Sequence, residues 1–185
     1  MPLKPFRQYS EVDVLNFYKL NTATGAKGTP VVISNSGFNG TNGAPTVFSN
    51  LASALNNGNT YSPRWEVYPA VRAAVTGEVP MGITLYDTLE VNQFGYSYLY
   101  DKQRKAEKEA VVSGEAVPIL TKGVLNVYIG TGGYTAAPGR FAIVGNTGAF
   151  ASAATSTTTG VFGKWLGCPD TEGYAPLIFD CVGNK

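Results

Sequence analysis

Apolar residues in this chain fall in short runs, each closed off by Gly, Pro, Asn or Ser, and that rhythm is the signature of β-strands. The runs are Thr29–Ser34 (TPVVIS), Gly82–Tyr86 (GITLY), Ala116–Leu120 (AVPIL), Val124–Ile129 (VLNVYI), Arg140–Gly145 (RFAIVG) and Tyr174–Cys181 (YAPLIFDC). Between the third and fourth, Thr121, Lys122 and Gly123 predict a hairpin or a bulged corner. Pro118, which has no N–H to give a ladder, predicts an edge or bulge position. Helical spacing occurs twice. Thr46–Asn57 places Phe48, Leu51, Ala52 and Leu55 at i, i+3, i+4 and i+7, with Gly58 as a stop. Asp101–Ala110 offers Asp101 as an N-cap and mixed charge on most faces, which predicts a short solvated helix or turn. The expectation is an all-β chain: a small β-barrel or β-sandwich-like domain with an extended N-terminal arm, a long Asn/Gly-rich loop and one or two short helices.

The pattern divides the chain into three stretches within one domain. Residues 1–20 form the extended arm and first strand, 21–62 an Asn/Gly-rich insertion carrying a short helix, and 63–185 the β-barrel core. Asn21–Ser62 holds eight Asn and six Gly, residues that favour turns and left-handed backbone. It reads either as a plain surface insertion or as a protruding, partner-contacting loop. In the arm, Pro2 and Pro5 disfavour helix, while Leu3, Phe6, Arg7 and Tyr9 supply anchors. Such an arm docks on a neighbouring subunit by strand addition. Tyr96, Tyr98 and Tyr100 alternate in GYSYLYD and would share one side of an extended segment. A packed protein contact and a half-buried strand explain them equally well. The hydroxyl-rich stretch Ala149–Gly160 is small enough to pack closely against another chain.

Composition narrows the functions. The 185 residues include no histidine, only 15% are charged and the net charge is +1. A missing imidazole removes the most adaptable acid/base near neutral pH and the commonest metal ligand. The thin, balanced charge argues against nucleic-acid binding, which needs clustered Lys and Arg. Lys102, Arg104, Lys105 and Lys108 are diluted by Asp101, Glu107 and Glu109. The segment Met1–Tyr9 lacks the apolar stretch of a secretory signal, and no run approaches the ~18 apolar residues of a membrane span, so synthesis in a cytoplasm and no membrane partner are expected.

Motifs of catalysis are missing as well. No Ser-x-x-Lys pattern occurs, and Cys168 in LGCPD has no neighbour that would activate a thiol. Gly130–Gly133 (GTGG) and Gly37–Gly40 (GFNG) lack the Lys-Ser/Thr ending of a phosphate loop and read as turns. Asp170 and Glu172 lack the further oxygen ligands of a calcium loop, and the sequon at Asn39 is a chance match. Cys168 and Cys181 are too isolated for a zinc site; they could bridge across a C-terminal hairpin, and two buried free thiols are the simpler expectation. Trp65 and Trp165 beside the tyrosines would suit a sugar platform, though core packing is the plainer reading. The expected catalytic residues, cofactors and metals are none.

One resemblance gives these negatives a direction. Met81–Asp87 (MGITLYD), Asn92–Gly95 (NQFG), Val112–Leu125 (VSGEAVPILTKGVL), Ala137–Arg140 (APGR), Gly163–Leu166 (GKWL), Asp170 and Gly173–Leu177 (GYAPL) carry it. Over about Val71 to Val182 the chain resembles the head decoration (cement) proteins of tailed bacteriophages. The resemblance implies a small barrel that trimerises on the outer surface of the virion capsid and stabilises the shell without catalysis. Its implied partners are the major capsid protein, further copies of itself as a homotrimer, and neighbouring decoration subunits. The contact residues expected on this reading are Pro2, Leu3, Pro5, Phe6, Arg7, Tyr9, Tyr96, Tyr98 and Tyr100. The alternative from the same class of building blocks is a β-rich tail, fibre or adhesin module that binds a host receptor.

Overall fold

A computed structural model describes residues 3–16, 18–21, 25–34, 70–98, 100–129, 136–146, 148–155 and 160–181. The all-β expectation holds: two six-stranded sheets and one two-stranded sheet account for fourteen strands among these residues, and neither large sheet closes into a barrel. Sheet A runs in the order β1 (Leu3–Gln8), β10 (Lys122–Tyr128), β14 (Tyr174–Asp180), β13 (Val161–Trp165), β11 (Phe141–Val144) and β12 (Phe150–Ala153). Sheet B runs β2 (Val14–Leu15), β9 (Ile119–Leu120), β6 (Gly82–Thr84), β4 (Pro30–Ile33), β5 (Ala70–Ala73) and β3 (Lys19–Leu20). A parallel pair, β7 (Asp87–Thr88) with β8 (Ala110–Val111), forms the third sheet.

The six anticipated strands are all present; five are trimmed by one to three residues at their ends, while β10 starts two residues earlier than anticipated, at Lys122. In β14 and β10 the side chains alternate as a half-buried strand should: Ala175, Leu177 and Phe179, with Leu125 and Val127, point inward. They meet Phe150, Phe162 and the fully buried Trp165 of sheet A, Ile83 and Leu120 of sheet B, and Ala74 just after β5. Trp165 therefore packs in the core and does not offer a sugar platform; Trp65 lies outside the described residues.

Sheet B contributes to an apolar cluster on each of its faces. Ile119 and Leu120 are consecutive and both fully buried. Leu120 faces sheet A, and Ile119 joins Tyr18, Val31, Val71, Val111 and Val117 on the opposite side. Sheet B is thus the middle layer, with sheet A on one face and a smaller cluster reaching β8 on the other.

The chain changes sheets at Thr121. Of the two readings of Thr121–Gly123, hairpin or corner, the structure takes the corner: β9 and β10 belong to different sheets. The buried Thr121 donates both its N–H and its hydroxyl to the carbonyl of Asp13, each at 2.9 Å, and its own carbonyl accepts the N–H of Cys181 at 2.9 Å. Gly123 adopts φ +152°, and a Cβ there would stand 2.9 Å from that of Tyr9. Alongside this corner the N-terminal chain makes the same crossing, from β1 in sheet A through a 3-10 turn (Glu11–Asp13) into β2 in sheet B. Pro118 precedes the paired residues of β9 and costs the ladder nothing.

Three expectations change. The arm adds as a strand, but onto its own β10, with Leu3 opposite Val127 and Gln8 opposite Val124. The span 21–62 is not wholly an insertion, since β4 lies inside it and pairs with both β5 and β6 in the middle of sheet B. Its anticipated helix, Thr46–Asn57, lies outside the described residues, as do Gly37–Gly40 and Gly130–Gly133. The cysteines are unpaired, but Cys168 is exposed rather than buried because it sits in the turn leading to β14.

Two outcomes follow. A Cβ on Gly163 would lie 2.5 Å from the carbonyl oxygen of Ile178 and 2.8 Å from the Cβ of Phe179. Gly163→Ala is expected to lower stability by about 1–3 kcal/mol in a denaturant titration. Burial, then the neighbouring Asp180 carboxylate, push the Cys181 thiol up to about 12. A thiol reagent at pH 8 should accordingly modify Cys168 alone in the folded chain and both cysteines once it is unfolded.

Candidate contact site: an aromatic knuckle between β7 and β8

The segment between β7 and β8 leaves the layers and returns through helix α1 (Lys102–Glu107). Asp101 caps α1, its carboxylate accepting the Arg104 N–H as the sequence anticipates. The segment is fastened at its base. Asp87 N–H bonds the Glu109 carbonyl, and Leu89 N–H bonds that of Val111. The buried Lys27 bridges the cap to the sheets, its ammonium 2.8 Å from Glu109 and its N–H 2.7 Å from the carboxylate of Asp87. Glu115 accepts both the Lys105 ammonium and the Val112 N–H. Glu109 itself stands at φ +49°, the left-handed position in which a helix commonly ends.

The tip is built around Asn92, which is almost fully buried. Its side-chain oxygen accepts the N–H groups of Phe94 (2.9 Å) and Tyr96 (3.0 Å), while its own N–H bonds the Tyr96 carbonyl at 2.8 Å. This Asx-type closure folds Val91–Ser97 into a tight loop, with a bridge between Val91 and Ser97 and with Gly95 at φ +80°. The alternation of Tyr96, Tyr98 and Tyr100 consequently does not put them on one side of a strand. Tyr98 is 4% exposed and anchors the loop, whereas Tyr96 (69%) and Tyr100 (77%) face solvent. Phe94 (62%) and Val91 (53%) join them, so four of the largest exposed apolar side chains of the described residues stand within ten positions. The guanidinium of Arg104 lies 5.2 Å from the centre of the Phe94 ring, a cation–π contact that braces the tip against α1.

The other anticipated contact residues are dispersed. Tyr9 is partly exposed beside the corner, Leu3, Pro5, Phe6 and Arg7 lie on the backbone of edge strand β1, and Pro2 lies outside the described residues. Reading GYSYLYD as a strand missed Phe94 and Val91. The signal that finds them is Asn92 two residues before Phe94 and three before Gly95, an Asx turn followed by a left-handed glycine.

Asp170 spends its carboxylate on the N–H groups of Glu172 and Tyr174, both at 2.9 Å, which makes it a turn-former. Among the described residues no three His, Cys, Asp or Glu side chains are grouped to hold a metal ion, and no helix is long and apolar enough to cross a membrane. No family model, curated protein or solved structure matches the chain.

Asn92→Ala should loosen the knuckle without unfolding the layers. The amides of Phe94 and Tyr96, deprived of their acceptor, are expected to exchange with deuterium at least about tenfold faster, while the strand amides of β10 and β14 keep their protection.

Proposed function

We propose that this chain is a non-enzymatic structural protein that binds the outside of a tailed-phage capsid as an oligomer and stabilises the shell. The observation that carries the reading is the knuckle: three aromatic rings held out in water by a loop whose order comes from a buried Asn and an anchoring Tyr. Exposed aromatics on a preorganised loop are what a protein contact requires, because little ordering entropy remains to be lost on docking. The decoration-protein resemblance supplies the partner, the major capsid protein, and the homotrimeric state.

Magnitudes fit a shared task. Each ring can bury roughly 100–150 Å² more, so the three together offer roughly 8–11 kcal/mol of gross burial at ~25 cal/mol/Å². Association and residual ordering offset much of that. A single knuckle therefore binds modestly, and joining three in a trimer raises the avidity by orders of magnitude. Shell stabilisation is then mass action, a ligand that prefers the assembled lattice adding RT ln(1 + [L]/Kd) per independent site. On this reading Tyr96, Tyr100 and Phe94 touch the shell, Tyr98 positions them, and the outer edge of β1 with Tyr9 is a second contact.

The test combines Phe94→Ser, Tyr96→Ser and Tyr100→Ser in one chain and cosediments it with undecorated capsids. Binding is expected to weaken at least about a hundredfold, with the melting temperature within ~3 °C of the parent, since all three rings lie outside the core. Undiminished capsid binding by the folded triple variant would sink the knuckle. A parent chain that ignores capsids but binds host cells would replace the decoration role with that of an adhesin.

A further inference from the structure

The two edges of sheet A are protected very differently. One edge, β1, carries Lys4, Pro5 and Arg7, the residues by which natural sheets discourage further pairing. The edges of sheet B are two-residue strands, too short to template anything. The remaining edge, β12, reads Phe-Ala-Ser-Ala, with no proline, and the chain carries no charged residue from Phe141 through Gly163. Its hairpin is also held firmly. Gly148 N–H bonds the Ala74 carbonyl at 2.9 Å, and the Thr76 hydroxyl bonds the Gly145 carbonyl at 2.7 Å.

Register shows which groups this edge offers. Gly145 donates to the carbonyl of Ala149, directly opposite it, at 3.0 Å. Hydrogen-bonded and non-bonded pairs alternate along an antiparallel ladder, so Ile143 with Ala151 and Phe141 with Ala153 are the bonded pairs of β11 and β12. The N–H and C=O groups of Phe150 and Ser152 consequently point away from β11, along the open edge. Ser152 adds a second anomaly: its hydroxyl oxygen is buried and has no hydrogen-bond partner among the described residues. A buried orphan hydroxyl on an unpaired edge is costly twice over.

We propose that β12 pairs antiparallel with the β12 of a second copy about a two-fold axis at Ser152, joining two A sheets into one. In that arrangement the Ser152 main chains exchange two N–H···O=C bonds. Their side chains fall directly opposite on the same face, where the two hydroxyls can bond each other. A neutral strand of small residues meets its own copy without like-charge repulsion, which is why the occupant is this chain. The contact is isologous and closes after two copies. It stands independently of shell binding; on a lattice it would tie a subunit of one oligomer to a subunit of the next.

Two variants test it by sedimentation equilibrium and oxidative cross-linking. Ser152→Pro removes an N–H that the β11 ladder does not use, so the fold should survive while self-association weakens at least about tenfold. Ser152→Cys, in a Cys168→Ser background, places two thiols at an antiparallel bonded pair whose Cα atoms are about 5.5 Å apart, inside the range a disulfide spans. Mild oxidation should then give a covalent species of twice the chain mass. A Ser152→Cys chain that stays monomeric under oxidation overturns the proposal even if Ser152→Pro fails to fold. So does a folded Ser152→Pro chain whose association matches the parent's.

Discussion

The carbonyl of Asp13 accepts two hydrogen bonds from Thr121, and the rest of the architecture depends on that junction. On either side of it an antiparallel ribbon changes sheets: β1 and β10 lie in sheet A, β2 and β9 in sheet B. A ribbon that turns from one layer to another loses ladder bonds at the bend, and buried main-chain groups left unpaired there would cost more than the bend returns. Thr121 removes that cost. Its N–H and hydroxyl both go to Asp13, and its carbonyl takes the N–H of Cys181 at the end of β14. The corner thus ties together three segments that lie far apart in sequence. Gly123 permits the close approach of Gln8 and Tyr9 that keeps the two crossing chains side by side.

Once the corner is fixed, the layers follow. Ile119 and Leu120 stand immediately before it and point to opposite faces of sheet B, one into each apolar cluster. Around β9 the middle sheet is therefore buried on both sides, and such a buried stretch tolerates little charge. The charges that do occur near it are neutralised locally. Lys27 meets Glu109, and Arg72 grips Glu78 through both nitrogens, which with the Val75 N–H holds the Glu78 carboxyl below its ordinary range. These pairs fasten loops and caps to the layers and leave the clusters themselves apolar.

Much of this was legible in the residues, and the failures have definite causes. Strands bounded by breakers were found because burial on one or both faces writes itself into apolar runs, as in PVVI, GIT and FAIV. Helix α1 was found through Asp101, a local signal with a local mechanism. Strands β2, β3, β7 and β8 were invisible because two residues carry no periodicity; their partners, often far along the chain, make them strands. Arg72 interrupts β5, and Gly163 interrupts β13, so neither displays a clean run. The residues Thr121–Gly123 fit a hairpin and a corner alike, because nothing local reveals that β9 and β10 serve different sheets. At the tyrosines a period of two was present and misleading: the Asn92 side chain captures two main-chain donors, and that closure outweighs the strand preference of Tyr.

The candidate contact elements share a cause with the fold that displays them. A parallel pair such as β7 and β8 requires a long crossover, and here the crossover is spent on a knuckle and a short helix. The loop is free to present Phe94, Tyr96 and Tyr100 outward because Tyr98, Asn92 and Lys27 already supply its attachment. The β11–β12 hairpin is likewise carried by bonds to Ala74 and Thr76 of the loop after β5, and among the described residues no strand pairs with its far edge. Each surface is ordered by side chains and main chain that point inward, leaving the outward groups uncommitted. Rigid presentation of uncommitted apolar and main-chain groups is what association rewards and what an isolated soluble domain ordinarily avoids. That combination is the physical basis on which the proposed binding role rests.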